Sequence, residues 1–438
     1  MYDTLDICPR AEILCIQPSL AVLKLKYLGV VDDIEKFHWL EAPSLESIRD
    51  AIKSLQWLGA LDPQTQKLTE TGRKMAELGL PPMLSAMMLK GVEMSCEDPV
   101  IIVAAMLSVA QNVWWRSKDP KVQELANERR AYYAHDNDRG GDHIQLLKIF
   151  LEWVSKKPEK GERTDWCRKN MVNGKALNIA FEFIHEVYRQ LKKKEPDWQS
   201  ISLDQHLVDQ ILHCVTAGYF QNLALSNGPL KAGYQLVTTE NINAQVYRTS
   251  TITFGKQPAK YVVYHEILNL NGTNCMTVMC PIQYEWLPEK WLRSLSRQPT
   301  DLIFVNHVFE NLGPSLMSAC LGKRCAKKQT LEDLLGVVLD VDYEERKLTI
   351  WCQKQKLANA KSHLEQLLKL EREKLIREVE EYSLVGSTRL LMGAGGEPIL
   401  VLTADEYVKV IVKGLPTNVT EDAIEKKFQT CGKGKSSI

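Results

Sequence analysis

Apolar residues at Leu45, Ile48, Ile52, Leu55 and Leu58 keep the spacing of one helix face, and they predict a helix over SLESIRDAIKSLQWLGAL. Ser44 stands where an N-cap belongs, and Gly59 closes the stretch. A shorter helix, SLAVLKLKYLGV, precedes it and ends at Gly29. After the turn Asp62-Pro63 comes a short strand, Gln66-Lys67-Leu68, then a new helix in LTETGRKMAELG. That order of helix, wing and helix is the rhythm of a small winged-helix domain. Pro81-Pro82 breaks the chain ahead of two apolar helices, MLSAMMLKGVEM and PVIIVAAMLSVAQ. Cys96-Glu97-Asp98-Pro99 is read as the turn between them, with Pro99 at a first helical position. The methionines of the first helix are expected in the core.

Residues 112 to 225 read as mostly helical, through VQELANERRAYYAH, IQLLKIFLEWVSKK, two helices parted at Asn173-Gly174, and SLDQHLVDQILHCVTAGYF. Asp142, in the loop DNDRGGDH, is expected to cap the helix that follows. Near residue 226 the period changes to two. YQLVTT, AQVYRTSTITF, KYVVYHEILN and NCMTVMCPI read as strands of a small antiparallel barrel. From Leu331 a hairpin, LLGVVLDVDYEERKLTIWCQ, precedes a long charged helix over ANAKSHLEQLLKLEREKLIREVEEY, read as a solvated surface helix. GSTRLLMGAGGEPIL reads as a loop, in which Gly393 to Gly396 are more simply flexible chain than a phosphate-approaching turn. VKVIVKGLP and TNVTEDAIEKKFQ then read as the strand and helix that begin an RNA-recognition-like unit. The fold class expected is α+β and multidomain.

Composition narrows this little. The chain has 438 residues, 25% of them charged, and a formal net charge of zero, so any nucleic-acid binding must come from local patches. Eleven cysteines occur without a CxxC pair, which points to reduced thiols and a nuclear or cytoplasmic setting. Cys275-x4-Cys280 and Cys320-x4-Cys325 are loosely spaced for zinc, and no metal site is expected. The N-terminus lacks the basic and apolar regions of a signal peptide, and the longest apolar run, Val100 to Ala110, is short for a bilayer. No membrane partner is expected.

The span Leu68 to Ser108 closely resembles the region that follows the second motor domain of DEAH-box RNA helicases. Leu68, Thr69, Gly72, Arg73, Pro82, Cys96, Ala104, Ala105, Met106, Leu107 and Ser108 stand in that pattern. GDHIQLLKIFLEW, WCRKNMVNGKAL, AGYFQNLA and KYVVYHEIL continue the resemblance, which covers roughly residues 10 to 300. It implies the end of a RecA-like domain and a linker over 1–43, a winged helix over 44–111, a ratchet-like bundle over 112–225 and an oligonucleotide-binding (OB) barrel over 226–305. A linker over 306–330, an α+β segment over 331–400 and a truncated RNA-recognition-like unit over 401–438 would follow. Both ends look like cuts rather than domain edges.

By the same resemblance, the site residues implied for RNA are Asp142, His143, Asn173, Lys175, Tyr247, Arg248, Thr249, Ser250, Lys256 and Lys260, with Tyr261 a further stacking face. Gly72 and Arg73 are implied in holding the wing to a neighbouring domain. Two departures stand out. Tyr247-Arg248-Thr249-Ser250 replaces the family's His-Pro-Ser-Ser strand, and Asn173-Gly174-Lys175 replaces its Asn-x-Arg. Trp114-Trp115-Arg116 could stack on a base, although a domain anchor is the simpler role. Neither G-x-x-x-x-G-K-[ST] nor Asp-Glu-Ala-His occurs, so no autonomous ATPase is expected, and ATP and Mg are implied only in the family's motor domains. The implied partners are single-stranded RNA, RecA-like motor domains in cis or trans, and a glycine-patch type activator. The alternatives are a scaffold that docks such activators, or a truncated non-functional fragment.

Overall fold

The computed structural model describes residues 11–15, 17–31, 33–135, 140–158, 161–196, 198–238, 242–254, 258–322, 325–375, 380–383, 389–392, 398–402 and 426. The chain divides into two compact units, residues 1–226 with 230–300, and residues 227–229 with 301–438.

In the first unit, α1 (Ser19–Leu28) packs on α2 (Leu45–Trp57) and α3 (Glu70–Leu78). The cap predicted at Ser44 forms, its Oγ accepting from the Ser47 amide at 3.1 Å, and Thr69 Oγ1 caps α3 by accepting from the Gly72 amide at 2.9 Å. The wing is minimal. Leu61 and Leu68 form one isolated bridge, and the turn between them closes on Asp62, which takes the Gln64 and Thr65 amides. Gly72 lets α3 approach the wing, since a Cβ there would lie 2.1 Å from the Ala60 carbonyl oxygen. Gly72→Ala should therefore destabilise the chain by about 1–3 kcal/mol, the range for overpacking, despite alanine's better helix propensity. Urea denaturation of the two proteins checks this, and an unchanged midpoint would show that the wing simply shifts aside.

The helices α4 (Pro82–Glu93) and α5 (Glu97–Val109) follow. Glu97 and Asp98 are already helical, so Pro99 sits third in α5 rather than first; its missing N–H lies among those without an intrahelical partner. Met87 and Met88 are buried, as is nearly all of α5. No helix among the described residues is long and apolar enough to cross a membrane. The bundle continues with α6 (Pro120–His135), α7 (Gly141–Val154), α8 (Glu162–Asn170), α9 (Gly174–Leu191) and α10 (Gln205–Tyr219). The helix α5 is its axle, packed against α4, α7 and α9.

Five strands, β1 (Leu223–Ser226), β2 (Tyr234–Leu236), β3 (Asn243–Val246), β4 (Tyr261–Leu270) and β5 (Thr273–Pro281), close into a barrel of order β1-β2-β3-β5-β4. The β3–β5 pair is parallel and the others antiparallel. Its interior is filled by Tyr234, Leu236, Val262, Tyr264, Met276 and Met279, among others. The strand expected over 244–254 stops at Val246. Tyr247 to Ser250 form a turn, with the Ser250 amide donating to the Tyr247 carbonyl at 2.9 Å, and Thr251–Phe254 are a 3-10 turn. After the barrel comes α11 (Glu289–Ser294).

The second unit holds β6 (Phe304–Phe309), α12 (Pro314–Leu321), α13 (Lys328–Leu335), β7 (Val338–Asp342), β8 (Lys347–Gln353) and α14 (Lys354–Leu375). The sheet order is β6-β8-β7, all antiparallel. Residues 306–330 are thus no linker: Leu316, Met317, Cys320 and Leu321 are core. The long helix is not wholly solvated either, for Ala360, Leu364 and Leu368 share a face in the same core. Where that helix was expected to run on to Tyr382, Glu380–Ser383 is a strand, β9. The supposed glycine loop carries β10 (Arg389–Met392), which pairs with β9, and β11 (Pro398–Leu402), which pairs with β10, aliphatic runs that complete a three-stranded meander. Gly393 to Gly396 and the strand and helix read over 408–429 lie outside the described residues, apart from Lys426.

Candidate nucleic-acid interface

Asp142 does not cap its helix. Gly140 holds the N-cap position without a side-chain bond, and Gly141, Asp142 and His143 form the first turn of α7. The Asp142 side chain instead crosses to the barrel. Its Oδ1 accepts from the Thr251 amide at 2.6 Å and the Thr251 hydroxyl at 2.8 Å. Its Oδ2 accepts from the Ser250 hydroxyl at 2.7 Å and the Met279 amide at 2.8 Å. Gly141 makes this approach possible: it adopts φ +62°, and a Cβ there would lie 2.5 Å from the Met279 carbonyl oxygen. Burial raises the Asp142 carboxyl above its ordinary pKa, while the four donors pull it back. Next to Met279, Val278 adopts φ 48°, a left-handed conformation that β-branched residues seldom take. The carboxylate thus grips β5 at a strained residue and, at Ser250-Thr251, the end of the turn that carries Tyr247, Arg248 and Thr249.

Those residues border a hollow. One part, of about 540 Å³, is lined by Gln111, Asn112, Trp114, Trp115, Arg116, Ser117, Val122 and Asn173. A narrower recess of about 40 Å³ shares Gln111, Trp114 and Arg116 with it and adds Arg130, Asp142, Tyr247, Thr249, Thr277 and Val278. The segment 111–117 is locked between bundle and barrel. The Gln111 amide nitrogen donates to Glu266 Oε2 at 3.2 Å and Thr277 Oγ1 at 3.4 Å, and Trp114 bridges to Val172. Trp114 is buried, as an anchor should be, whereas Trp115 keeps 40% of its surface exposed. The Arg116 Nη2 donates to the Gln111 carbonyl at 2.7 Å.

Of the expected site residues, the structure brings Asp142, Asn173, Tyr247 and Thr249 to this hollow, and exposed Arg248 stands between the last two. His143 is fully buried, and Ser250 is buried in the Asp142 bond. The Asn173 side chain caps α9 by accepting from the Lys175 amide at 3.1 Å, and Lys175 itself is exposed. Lys260, at the start of β4, is exposed but does not line the hollow, and Lys256 lies outside the described residues. Tyr261 is partly covered by Tyr284, ring centres 5.5 Å apart. Gly72 packs the wing, while Arg73 is exposed and lies 3.8 Å from Glu70. Gln111, Arg116 and Arg130 complete the site. Arg130 gave no local signal in the sequence, and its burial comes from packing against Trp114.

Family models match three stretches of the chain. These are the helicase associated domain (HA2), winged-helix, over residues 51–80; the helicase associated domain (HA2), ratchet-like, over 81–146; and the oligonucleotide/oligosaccharide-binding (OB)-fold over 211–290. The chain is 30% identical over 271 residues to the probable ATP-dependent RNA helicase DHX40 of Homo sapiens and to that of Pongo abelii, and 29% identical to that of Rattus norvegicus. Each match covers 61% of this chain and 33% of the relative, so the chain spans about a third of the length of the curated relatives it matches. The chain carries HA2 winged-helix, HA2 ratchet-like and OB-fold domains, and the resemblance to the accessory region of DEAH-box RNA helicases is borne out.

Proposed function

We propose that this chain is the RNA-gripping accessory part of a DEAH-box, ATP-dependent RNA helicase. It holds single-stranded RNA and couples it to a motor outside these residues, to which ATP and Mg are assigned. One observation carries the reading: within helicase-associated domains, the seam between bundle and barrel gathers Arg116, Arg130 and Arg248 around an exposed tryptophan. Arginine and hydroxyl groups suit phosphates, and an indole face suits any base, so such a surface binds without reading sequence. Asp142 and Ser250 act behind this surface, holding the turn that presents Tyr247, Arg248 and Thr249, and His143 is buried beside Asp142. Asn173, Lys175 and Lys260 extend the basic and polar rim, with Lys256 joined to them on sequence grounds alone.

The motor is proposed to dock near α1, where Leu28, Val30 and Leu40 expose apolar surface, with exposed Arg73 reaching across. The setting is nuclear or cytoplasmic and reducing. Anisotropy of labelled U-rich RNA across a salt series tests the reading. We expect affinity near the micromolar range at low salt, falling steeply as salt rises. Arg248→Ala should weaken binding roughly tenfold and flatten the salt slope by about one, with Lys260→Ala doing less. No binding at any salt would move the activator scaffold ahead, a reading favoured by the exposed Ile267 and Leu270 on β4.

A further inference from the structure

We propose that the floor of this hollow is a subsite for one phosphodiester group, held by Arg130 with Arg116 and Arg248 at its rim. The inference rests on the RNA-binding reading above and locates its anchor.

Arg130 is only 3% exposed. Its Nη1 donates to Asn127 Oδ1 at 3.0 Å and its Nη2 to the Trp115 carbonyl at 3.2 Å, while its guanidinium lies 5.4 Å from the Trp114 ring centre. All three contacts are with neutral groups. Among the described residues the Nε has no partner and no carboxylate pairs with this arginine. Asp142 lines the same recess but spends both oxygens on Ser250, Thr251 and Met279. A buried cation without a counter-charge is costly, and proteins seldom keep one idle. Here two more cations add to the cost: the charges of Arg116 and Arg248 both weigh on Arg130. An anion in the recess would satisfy all three.

The occupant is set by the surroundings. Guanidinium forks take phosphate in two-point bonds, and the Thr249 hydroxyl at the wall offers a further donor. The hollow of about 540 Å³ opens from the recess past Trp115, with room for the sugar and base that a phosphodiester brings. Free inorganic phosphate shares the chemistry and should enter the same recess more weakly.

The full chain is titrated with inorganic phosphate at constant ionic strength, and its melting temperature is compared with that in chloride. Wild type should be stabilised by phosphate, and Arg130→Gln should not be. In parallel, Arg130→Gln should bind U-rich RNA roughly tenfold more weakly, with the salt slope reduced by about one. Arg130→Lys should recover the slope but only part of the affinity, having lost the fork. If Arg130→Gln fails to fold, the Arg130→Lys affinity and the wild-type phosphate shift still decide. Phosphate acting no better than chloride on wild type, or RNA binding unchanged in the folded Arg130 variants, would overturn the subsite. Arg130-dependent phosphate binding without any RNA binding would keep the subsite and sink the RNA reading instead.

Discussion

Asp142→Ala should cost the first unit about 2–4 kcal/mol, the loss expected when neutral buried donors are left without their acceptor. Four donors would lose their acceptor together: two backbone amides and two hydroxyls. A buried donor left unmet costs about 1–3 kcal/mol, although the Ser250 and Thr251 hydroxyls can swivel towards other partners. Asp142→Asn should lose less. Its carbonyl oxygen can still serve Thr251, but its amide would face the Met279 N–H donor to donor. Urea unfolding of the three proteins orders them wild type, Asn, Ala. If Asp142→Ala unfolded at the wild-type midpoint, the carboxylate would be a bystander and the grip on the 247–250 turn would need another source.

Acid should weaken the fold through His143. This ring is fully buried, neither nitrogen has a partner among the described residues, and burial pushes its pKa down to about 3. The unfolded chain takes up this proton near pH 6.5 while the folded chain refuses it until about pH 3. Its contribution is therefore complete above about pH 6.5 and is lost progressively as pH falls towards 3. At about 1.4 kcal/mol per unit, some 2 kcal/mol would go between pH 6.5 and 5. His265, also lowered by burial, adds in the same direction. Asp142, raised by burial, opposes them, its contribution growing as pH falls. Denaturation at pH 7, 6 and 5 should show the decline in wild type and a shallower one in His143→Leu. Equal slopes in both proteins would mean that the imidazole is not the sensor.

Much of this was legible in the sequence, and the rest was hidden for identifiable reasons. The winged helix and the bundle announce themselves because caps and periodicity are local: Ser44, Thr69 and Asn173 each hold an amide two or three residues on. The barrel strands show as short runs rich in β-branched and aromatic residues between Asn and Gly turns, although burial along them does not alternate strictly: Val262, Val263 and Tyr264 are buried in succession. The stretch Tyr247 to Phe254 reads as strand for the same reason, rich as it is in threonine and aromatic residues. It turns because Asp142, more than a hundred residues earlier, captures Ser250 and Thr251. No local pattern carries that information. It also reassigns Asp142, whose place before an apolar helix looks like a cap. Arg130 was hidden differently. In Glu128-Arg129-Arg130 three charged residues look alike, and only packing against Trp114 decides which is buried. The helical face within α14 shows the same limit: a helix rich in Glu and Lys still spares Ala360, Leu364 and Leu368 for a core.

The Asp142 grip has a mechanical consequence. A strand drawn along the rim would tug on Arg248, which is two residues from Ser250 and three from Thr251. The load would pass through those hydroxyls into a carboxylate at the base of α7, and from there along a rigid fourteen-residue helix. It would bypass the ladder of β3, whose few backbone bonds would otherwise be peeled one at a time. The pull would act across the Asp142 bonds as a shear shared among them, and the barrel would ride with the bundle as a single lever.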